Sequence, residues 1–240
     1  MTASTNKTKV PSGGYRHGKR VKKAEVFTNL LNYGTNSKLG DRVAGFSLPA
    51  LKTCTPSDWC RKYCYAIRGM FNWPMIKRKY QWCWEESQKD TFVSKVVNEL
   101  EHKGGGFKVK DVKANKYKWI RVHPAGDFYS PEYVQKWLTI AEHFPNRNFL
   151  AYTKRGDLKN SIYKLASLDN FTVLESLDES MKGRSLPKLQ YAVVTGTKWD
   201  AGASHECPGA CPLCGYKCWY NKSCVFREIV GQDKKPKKVS

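Results

Sequence analysis

Short apolar runs with a period of two alternate along this chain with longer stretches in which apolar residues recur at three- and four-residue intervals. Val43–Leu48 predicts a short strand, and the alternation over Trp119–His123 predicts another. Phe149–Thr153, Phe171–Leu174 and Tyr191–Thr195 predict three more. Between them, Trp73–His102 carries a helical period, with Pro74 suited to a first turn and Gly104–Gly106 to a stop. Ser130-Pro131 opens a helix as N-cap and first helical residue; Val134, Trp137, Leu138 and Ala141 fall at helical spacing, and Pro145-Asn146 ends it. Leu158–Leu168 predicts a further helix. Repeated strand–helix–strand implies an α/β fold with a parallel sheet and helices outside, either open or closed into a partial or full barrel. In each form ligands bind beyond the carboxyl ends of the strands, so the informative residues are those that follow each strand.

Composition adds scale and partner. The 240 residues are 40% hydrophobic with eight Trp, enough for a large core. No stretch approaches the roughly 20 apolar residues of a membrane helix, and the first residues lack the apolar core of a signal peptide. The expected setting is therefore the cytoplasm, with no membrane partner. Lys and Arg number 42 against 21 Asp and Glu, a net charge of +21, and the excess is spread along the chain. A polyanion such as DNA or RNA is the natural partner for such a surface; a merely soluble basic protein is the plainer alternative. Residues 1–23 resemble a disordered basic arm and 231–240 a basic tail, flanking an α/β domain over 24–200 and a cysteine-rich segment over 201–230.

The nine cysteines change the picture most. Close spacings without a secretory leader argue for metal or redox chemistry over a disulfide scaffold. The first cluster is Cys54-x5-Cys60-x3-Cys64, in the loop after the first strand. Three thiolates hold three irons of a [4Fe-4S] cluster and leave the fourth free to chelate S-adenosylmethionine (SAM). Tyr63, directly before the last cysteine, is the aromatic neighbour usual in radical SAM enzymes. The competing reading is a zinc site completed by Cys83 or a histidine. The second cluster is Cys207-x3-Cys211-x2-Cys214-x3-Cys218, with Cys224 shortly after. Its crowding resembles ferredoxin runs more than split zinc ribbons, so an auxiliary [4Fe-4S] cluster competes with structural zinc.

The segments Phe46-Ser47-Leu48-Pro49-Ala50, Cys60 to Cys64-Tyr65-Ala66, Gly126-Asp127-Phe128 and Tyr152-Thr153-Lys154-Arg155 resemble those of a group of uncharacterised bacteriophage proteins. That group is in turn similar to the radical SAM superfamily. The resemblance covers roughly residues 35–220 through short motifs. It implies a partial TIM-like barrel, with Cys54, Cys60 and Cys64 as cluster ligands. It also implies that Gly126 and Asp127 form the turn that holds the cofactor's amino group, and it makes Ser176 and Asp178 candidates for its ribose hydroxyls. Thr195 and Gly196 then border the adenine, and a reducing partner such as flavodoxin or ferredoxin supplies electrons.

The remaining candidates each have a plain structural reading beside them. His123 ends a strand next to the Gly126-Asp127 turn, which places it toward the pocket as a catalytic candidate or makes it a structural histidine. Lys154 and Arg155 end the next strand and suit a phosphate or the cofactor carboxylate, or else form a solvated loop pair. Trp73, Tyr80, Trp82 and Trp84 read more readily as core than as a base-stacking platform. Gly104–Gly106 lacks the helix and lysine of a phosphate loop. Neither a Ser-His-Asp set nor a His-x-Glu deaminase signature is present. The leading expectation is a radical SAM-like enzyme acting on a nucleic acid base or nucleotide. The alternatives are a zinc-containing base-exchanging transglycosylase with Asp127 as nucleophile, and a non-enzymatic zinc-stabilised nucleic-acid-binding protein.

Overall fold

The parallel sheet expected from the alternating pattern forms the centre of the protein. In the computed structural model the described residues are 27–34, 36–102 and 117–226. The basic arm, the glycine run at 104–106 and the basic tail lie outside them. Strands β1 (Asn32–Tyr33), β2 (Val43–Phe46), β3 (Trp119–Val122), β4 (Asn148–Thr153), β5 (Phe171–Leu177), β6 (Tyr191–Val194), β7 (His205–Glu206) and β8 (Cys224–Phe226) form one eight-stranded sheet. Its order is β1-β2-β3-β4-β5-β6-β8-β7. Among these strands only the β1–β2 pair is antiparallel. From β2 to β6 each strand lies beside its successor, so the winding never reverses. Among the described residues the two ends, β1 and β7, do not pair, so the ladder is not closed into a full barrel.

Helices α1 (Asp58–Tyr63), α2 (Pro74–Gln88), α3 (Phe92–His102), α4 (Pro131–His143) and α5 (Lys159–Ala166) connect β2 through β5. Crossovers between adjacent parallel strands are almost always right-handed, which puts α2–α5 on one face. The side-chain alternation agrees. Phe46, Ile120, Val122, Phe149, Ala151, Phe171 and Val173 point to the helix side and pack on Phe92, Val96, Trp137 and Ile162. Val43, Leu150, Leu174 and Ala192 point the other way, where Cys218, Trp219 and Cys224 cover them. Trp119 stacks on Tyr216 at 4.3 Å and 3°, and the Thr172 hydroxyl donates to the Trp219 carbonyl at 2.9 Å. The cysteine-rich segment is thus packed across the second face of the sheet.

Several boundaries depart from the sequence expectation: the strand from Val43 stops at Phe46 and that from Phe171 runs on to Leu177, and two further departures have an identifiable contact behind them. The helical period over Trp73–His102 is split at Lys89–Thr91 into α2 and α3. The cause is Lys136, on α4. Its ammonium donates to the carbonyls of Ser87, Gln88 and Lys89 at 2.9–3.2 Å, satisfying the end of α2 from outside. The strand expected to reach His123 ends at Val122, because His123 adopts φ +59 and turns its ring into the helix-side core.

Candidate metal centres

The first centre is built on the loops that follow β2, β3, β4 and β5. Ser57 caps α1, its hydroxyl accepting from the Cys60 N–H at 3.1 Å, and this fixes the turn that carries Cys60 and Cys64. The β2 loop lies directly on the β3 loop. The Leu48 N–H donates to the Ala125 carbonyl at 2.9 Å, and a Cβ placed on Gly126 (φ +88) would come within 2.6 Å of Leu48 Cβ and 2.8 Å of Thr53 Oγ1. Glycine is required there for the loop bearing Cys54 to approach, which gives Gly126 a packing role.

The thiols of Cys54, Cys60 and Cys64 interact with one another. Burial, with the Asp127 carboxylate beside it, pushes the Cys54 thiol up to about 12. Cys60 and Cys64 share a hydrogen bond that raises the first and lowers the second to about 6; burial of Cys64 opposes this, while the N–H groups of Ala66 and Ile67 and the Arg68 guanidinium favour its thiolate. No fourth thiol or imidazole joins them among the described residues. Cys83 sits in the helix-side core with its Sγ 3.5 Å from the Leu30 carbonyl. His102 contacts the Asn98 carbonyl, and His143 contacts Glu101. The zinc site completed by Cys83 is therefore not formed.

Asp127 is buried at this rim. Its oxygens accept from the N–H of Phe128 at 2.7 Å and of Lys154 at 3.0 Å, and burial raises its pKa to about 6 against the lowering effect of those donors. Lys154 stands between strands: its ammonium donates to the Ser176 carbonyl and to Asp178 Oδ2, each at 2.8 Å, and lies near Cys60. Asp178 also accepts from the Ser57 hydroxyl, and from the Ser180 N–H at 3.1 Å. Burial pushes the Asp178 carboxyl up, but Lys154 and the Ser180 and Ser57 hydroxyls outweigh this and hold it below its ordinary value. The rim is thus one network joining α1 to the ends of β4 and β5.

Other expected site residues are committed elsewhere. His123 does not face this rim: its Nε2 is 2.8 Å from the Tyr133 hydroxyl and its ring packs among Phe46, Phe128 and Trp137. Burial, with Arg121 nearby, holds its pKa well below the usual value, so it is neutral. Thr195 donates its N–H and its hydroxyl to the Phe226 carbonyl, which ties β6 to β8. The Gly196 N–H donates to Asp200 at 2.7 Å. Ser176 presents its carbonyl to Lys154. Arg155 forks onto Asp157 at 2.6–2.8 Å and donates to the Phe128 carbonyl. Tyr63 is half-buried, its ring 5.0 Å from that of Trp59.

The second centre lies at the β7–β8 end of the sheet. Cys207, Cys211, Cys214 and Cys218 lie close enough to act on one another electrostatically. The tightest set, however, is His205, Cys218 and Cys224, whose donor atoms all lie within 4.8 Å of one another. Spacing among the cysteines alone leaves out His205. Its place two residues before Cys207, in the same cysteine-rich window, was the available signal. Arg121 was also missed. Its buried guanidinium donates to the carbonyls of Val122 and Leu150 at 2.8 and 3.2 Å, lies 3.9 Å over the Tyr152 ring, and acts on the Cys211 thiol. A buried cation held by carbonyls and a ring face suits an interior that holds thiolates.

A family profile described as Gene product 88 matches residues 16–202. The chain belongs to the Gene product 88 family. The gene 88 protein of Mycobacterium phage D29 is 31% identical over 212 residues, covering 76% of this chain and 82% of the phage protein. The gene 88 protein of Mycobacterium phage L5 is 30% identical over 122 residues, covering 46% of this chain and 44% of its own. No solved structure matches. These matches support the bacteriophage family that the short motifs resemble. The span matched in this Gene product 88 protein takes in Cys54, Cys60, Cys64, Asp127, Lys154 and Asp178 and ends before His205. Among the described residues no helix is long and apolar enough to cross a membrane.

Proposed function

We propose that this protein is a radical SAM-like iron–sulfur enzyme that modifies a nucleic acid base or nucleotide. The observation that carries the reading is the set of three thiols at the carboxyl rim of a sequentially wound parallel sheet, with no fourth thiol or imidazole beside them among the described residues. That donor set fits a [4Fe-4S] cluster with one free corner. The N–H groups of Ala66 and Ile67 and the Arg68 guanidinium favour a thiolate at Cys64, and the Lys154 ammonium offsets negative charge near Cys60. The unreversed winding supports the partial-barrel reading. When bound, a reduced cluster of this kind supplies the electron that cleaves the SAM sulfonium, the electron itself coming from a flavodoxin- or ferredoxin-type donor. The chain's residues do the positioning: Asp127 presents a carboxylate to the cofactor ammonium, and the Lys154–Asp178–Ser57 network fixes α1, with Cys60 inside it and Cys64 directly after it.

A basic, acid-free stretch beside the same cysteines supports a nucleic acid substrate. Between Asp58 and Glu85 the sequence holds no carboxylate, and Arg61, Lys62, Lys77 and Arg78 are exposed. Among them Tyr65, Met70 and Trp73 are 61%, 60% and 59% exposed. The sequence pattern favours Trp73 as core; an exposed aromatic in a cationic surface is instead what base stacking uses. The base-exchange alternative is less well supported, because the N–H groups of Phe128 and Lys154 and the Thr153 hydroxyl hold the Asp127 oxygens, which suits a carboxylate that stays in place to accept an ammonium better than one that must attack a sugar carbon.

The test is formation of 5′-deoxyadenosine from SAM by chemically reduced, iron-replete protein. Turnover that disappears in Cys60→Ala supports the reading. Iron-replete protein that neither binds nor cleaves SAM contradicts it.

A further inference from the structure

We propose that His205, Cys218, Cys224 and Cys207 form a mononuclear tetrahedral site for a divalent metal, zinc by its donor set, which pins the end of the sheet and is separate from the iron centre. The spacing argues for one ion. Zinc–sulfur and zinc–nitrogen bonds of about 2.3 and 2.0 Å put neighbouring ligand atoms of a tetrahedron about 3.5–3.8 Å apart. Cys218 Sγ lies 3.9 Å from His205 Nε2, and the three donor atoms of His205, Cys218 and Cys224 fall within 4.8 Å of one another.

Beyond the Cys218 thiol at 3.9 Å the imidazole has no hydrogen-bond partner among the described residues. His205 Nδ1 is buried and makes no hydrogen bond, so no N–H···O contact orients the ring among the described residues. Cys207 stands outside that 4.8 Å set, but its N–H donates to the Val225 carbonyl at 2.7 Å, which places its backbone beside Cys224 on β8, within reach of the fourth position by a turn of its side chain. Cys214 is directed to its own turn, its Sγ 3.4 Å from the Cys211 carbonyl. The four ligands come from β7, its following residue, the 217–220 turn and β8. A metal there clamps the edge strand β7, its neighbour β8 and the segment carrying Trp219 against the second face of the sheet.

This site stands apart from the radical SAM reading, and the test separates their failures. Zinc and iron are measured on the same preparations of wild type, His205→Ala, Cys224→Ser, Cys214→Ser and Cys60→Ser. The expected result is about one zinc per chain in wild type, Cys214→Ser and Cys60→Ser, falling more than tenfold in His205→Ala and Cys224→Ser. Zinc that survives in His205→Ala and Cys224→Ser but is lost in Cys214→Ser overturns the assignment in favour of the consecutive cysteine run. Should a variant fail to fold, cobalt(II)-loaded wild type decides. Tetrahedral ligand-field bands of a three-thiolate, one-imidazole ion support the site; bands of a four-thiolate ion, or no tetrahedral bands, refute it. Loss of iron in Cys60→Ser bears only on the first centre.

Discussion

The ammonium of Lys154, at the end of β4, lies 2.8 Å from Asp178 Oδ2, at the end of β5, and the same oxygen accepts the hydroxyl of Ser57, the N-cap of α1. Both charged side chains are largely shielded, 12% and 1% exposed. A pair so placed ties the helix that carries Cys60 and leads into Cys64 to two central strands. It is therefore the chief mechanical link between the sheet and the first centre.

Breaking that pair leaves one buried charge without its partner, which typically costs about 3–5 kcal/mol. Asp178→Asn and Lys154→Met are each expected to lower unfolding free energy by that order in denaturant titrations, with the double variant losing less than the sum. The pH dependence has a fixed sign. The folded-state pKa of Asp178 is depressed, so its contribution is complete above the unfolded value and is lost as pH falls through the folded one. The difference between wild type and Asp178→Asn should be full at pH 7 and shrink only below about pH 4.

His123 gives an opposite kind of check. Its buried ring stays neutral, so below the ordinary histidine pKa the unfolded chain takes up a proton that the folded chain refuses. Stability should rise with pH up to about 6.5, with this residue supplying as much as ~1.4 kcal/mol per pH unit. In His123→Phe that part of the slope disappears. Catalysis by this residue would require SAM cleavage to vanish in the variant while the folded state persists; cleavage is instead expected to persist.

Gly126 carries the contact between the two loops of the first centre. In Gly126→Ala the added Cβ meets Leu48 and Thr53 at a φ that side chains rarely adopt. A loss of about 1–3 kcal/mol is expected by thermal or chemical denaturation, together with lower iron retention. Gly69 also has positive φ, but a Cβ there would meet nothing within 4 Å, so Gly69→Ala should leave iron content unchanged.

The sequence made the framework legible because the strands alternate cleanly and the helix from Pro131 carries both its cap and its stop. It made the rim residues Asp127, Lys154 and Asp178 legible because they follow strands. What it concealed depends on contacts between distant residues. The break between α2 and α3 is set by Lys136 from another helix, and Cys224 joins Cys218 only because β8 pairs with β6 and β7. His123 was misplaced because a left-handed backbone at a strand end reverses the direction of its ring. α1 escaped notice because its six residues, Asp58–Tyr63, include none that is buried and so show no apolar stripe.

Trp73 tests the nucleic acid surface without disturbing the core, since its side chain is mostly exposed. Stacking on an aromatic contributes about 1–3 kcal/mol per base, so Trp73→Ala should weaken single-stranded oligonucleotide binding roughly 5- to 150-fold in fluorescence anisotropy, with Tm unchanged. Unaltered affinity in that variant would place the polyanion elsewhere.

The most direct measurement is the iron, acid-labile sulfide and zinc content of anaerobically purified protein, read with its visible spectrum. A three-thiolate cluster beside a separate zinc site predicts about four irons and four sulfides per chain with a broad band near ~400 nm, together with about one zinc, and loss of the iron alone in Cys60→Ser. Zinc with no iron in protein purified and reconstituted under those conditions would contradict the radical SAM reading and leave a zinc-stabilised nucleic-acid-binding protein in its place.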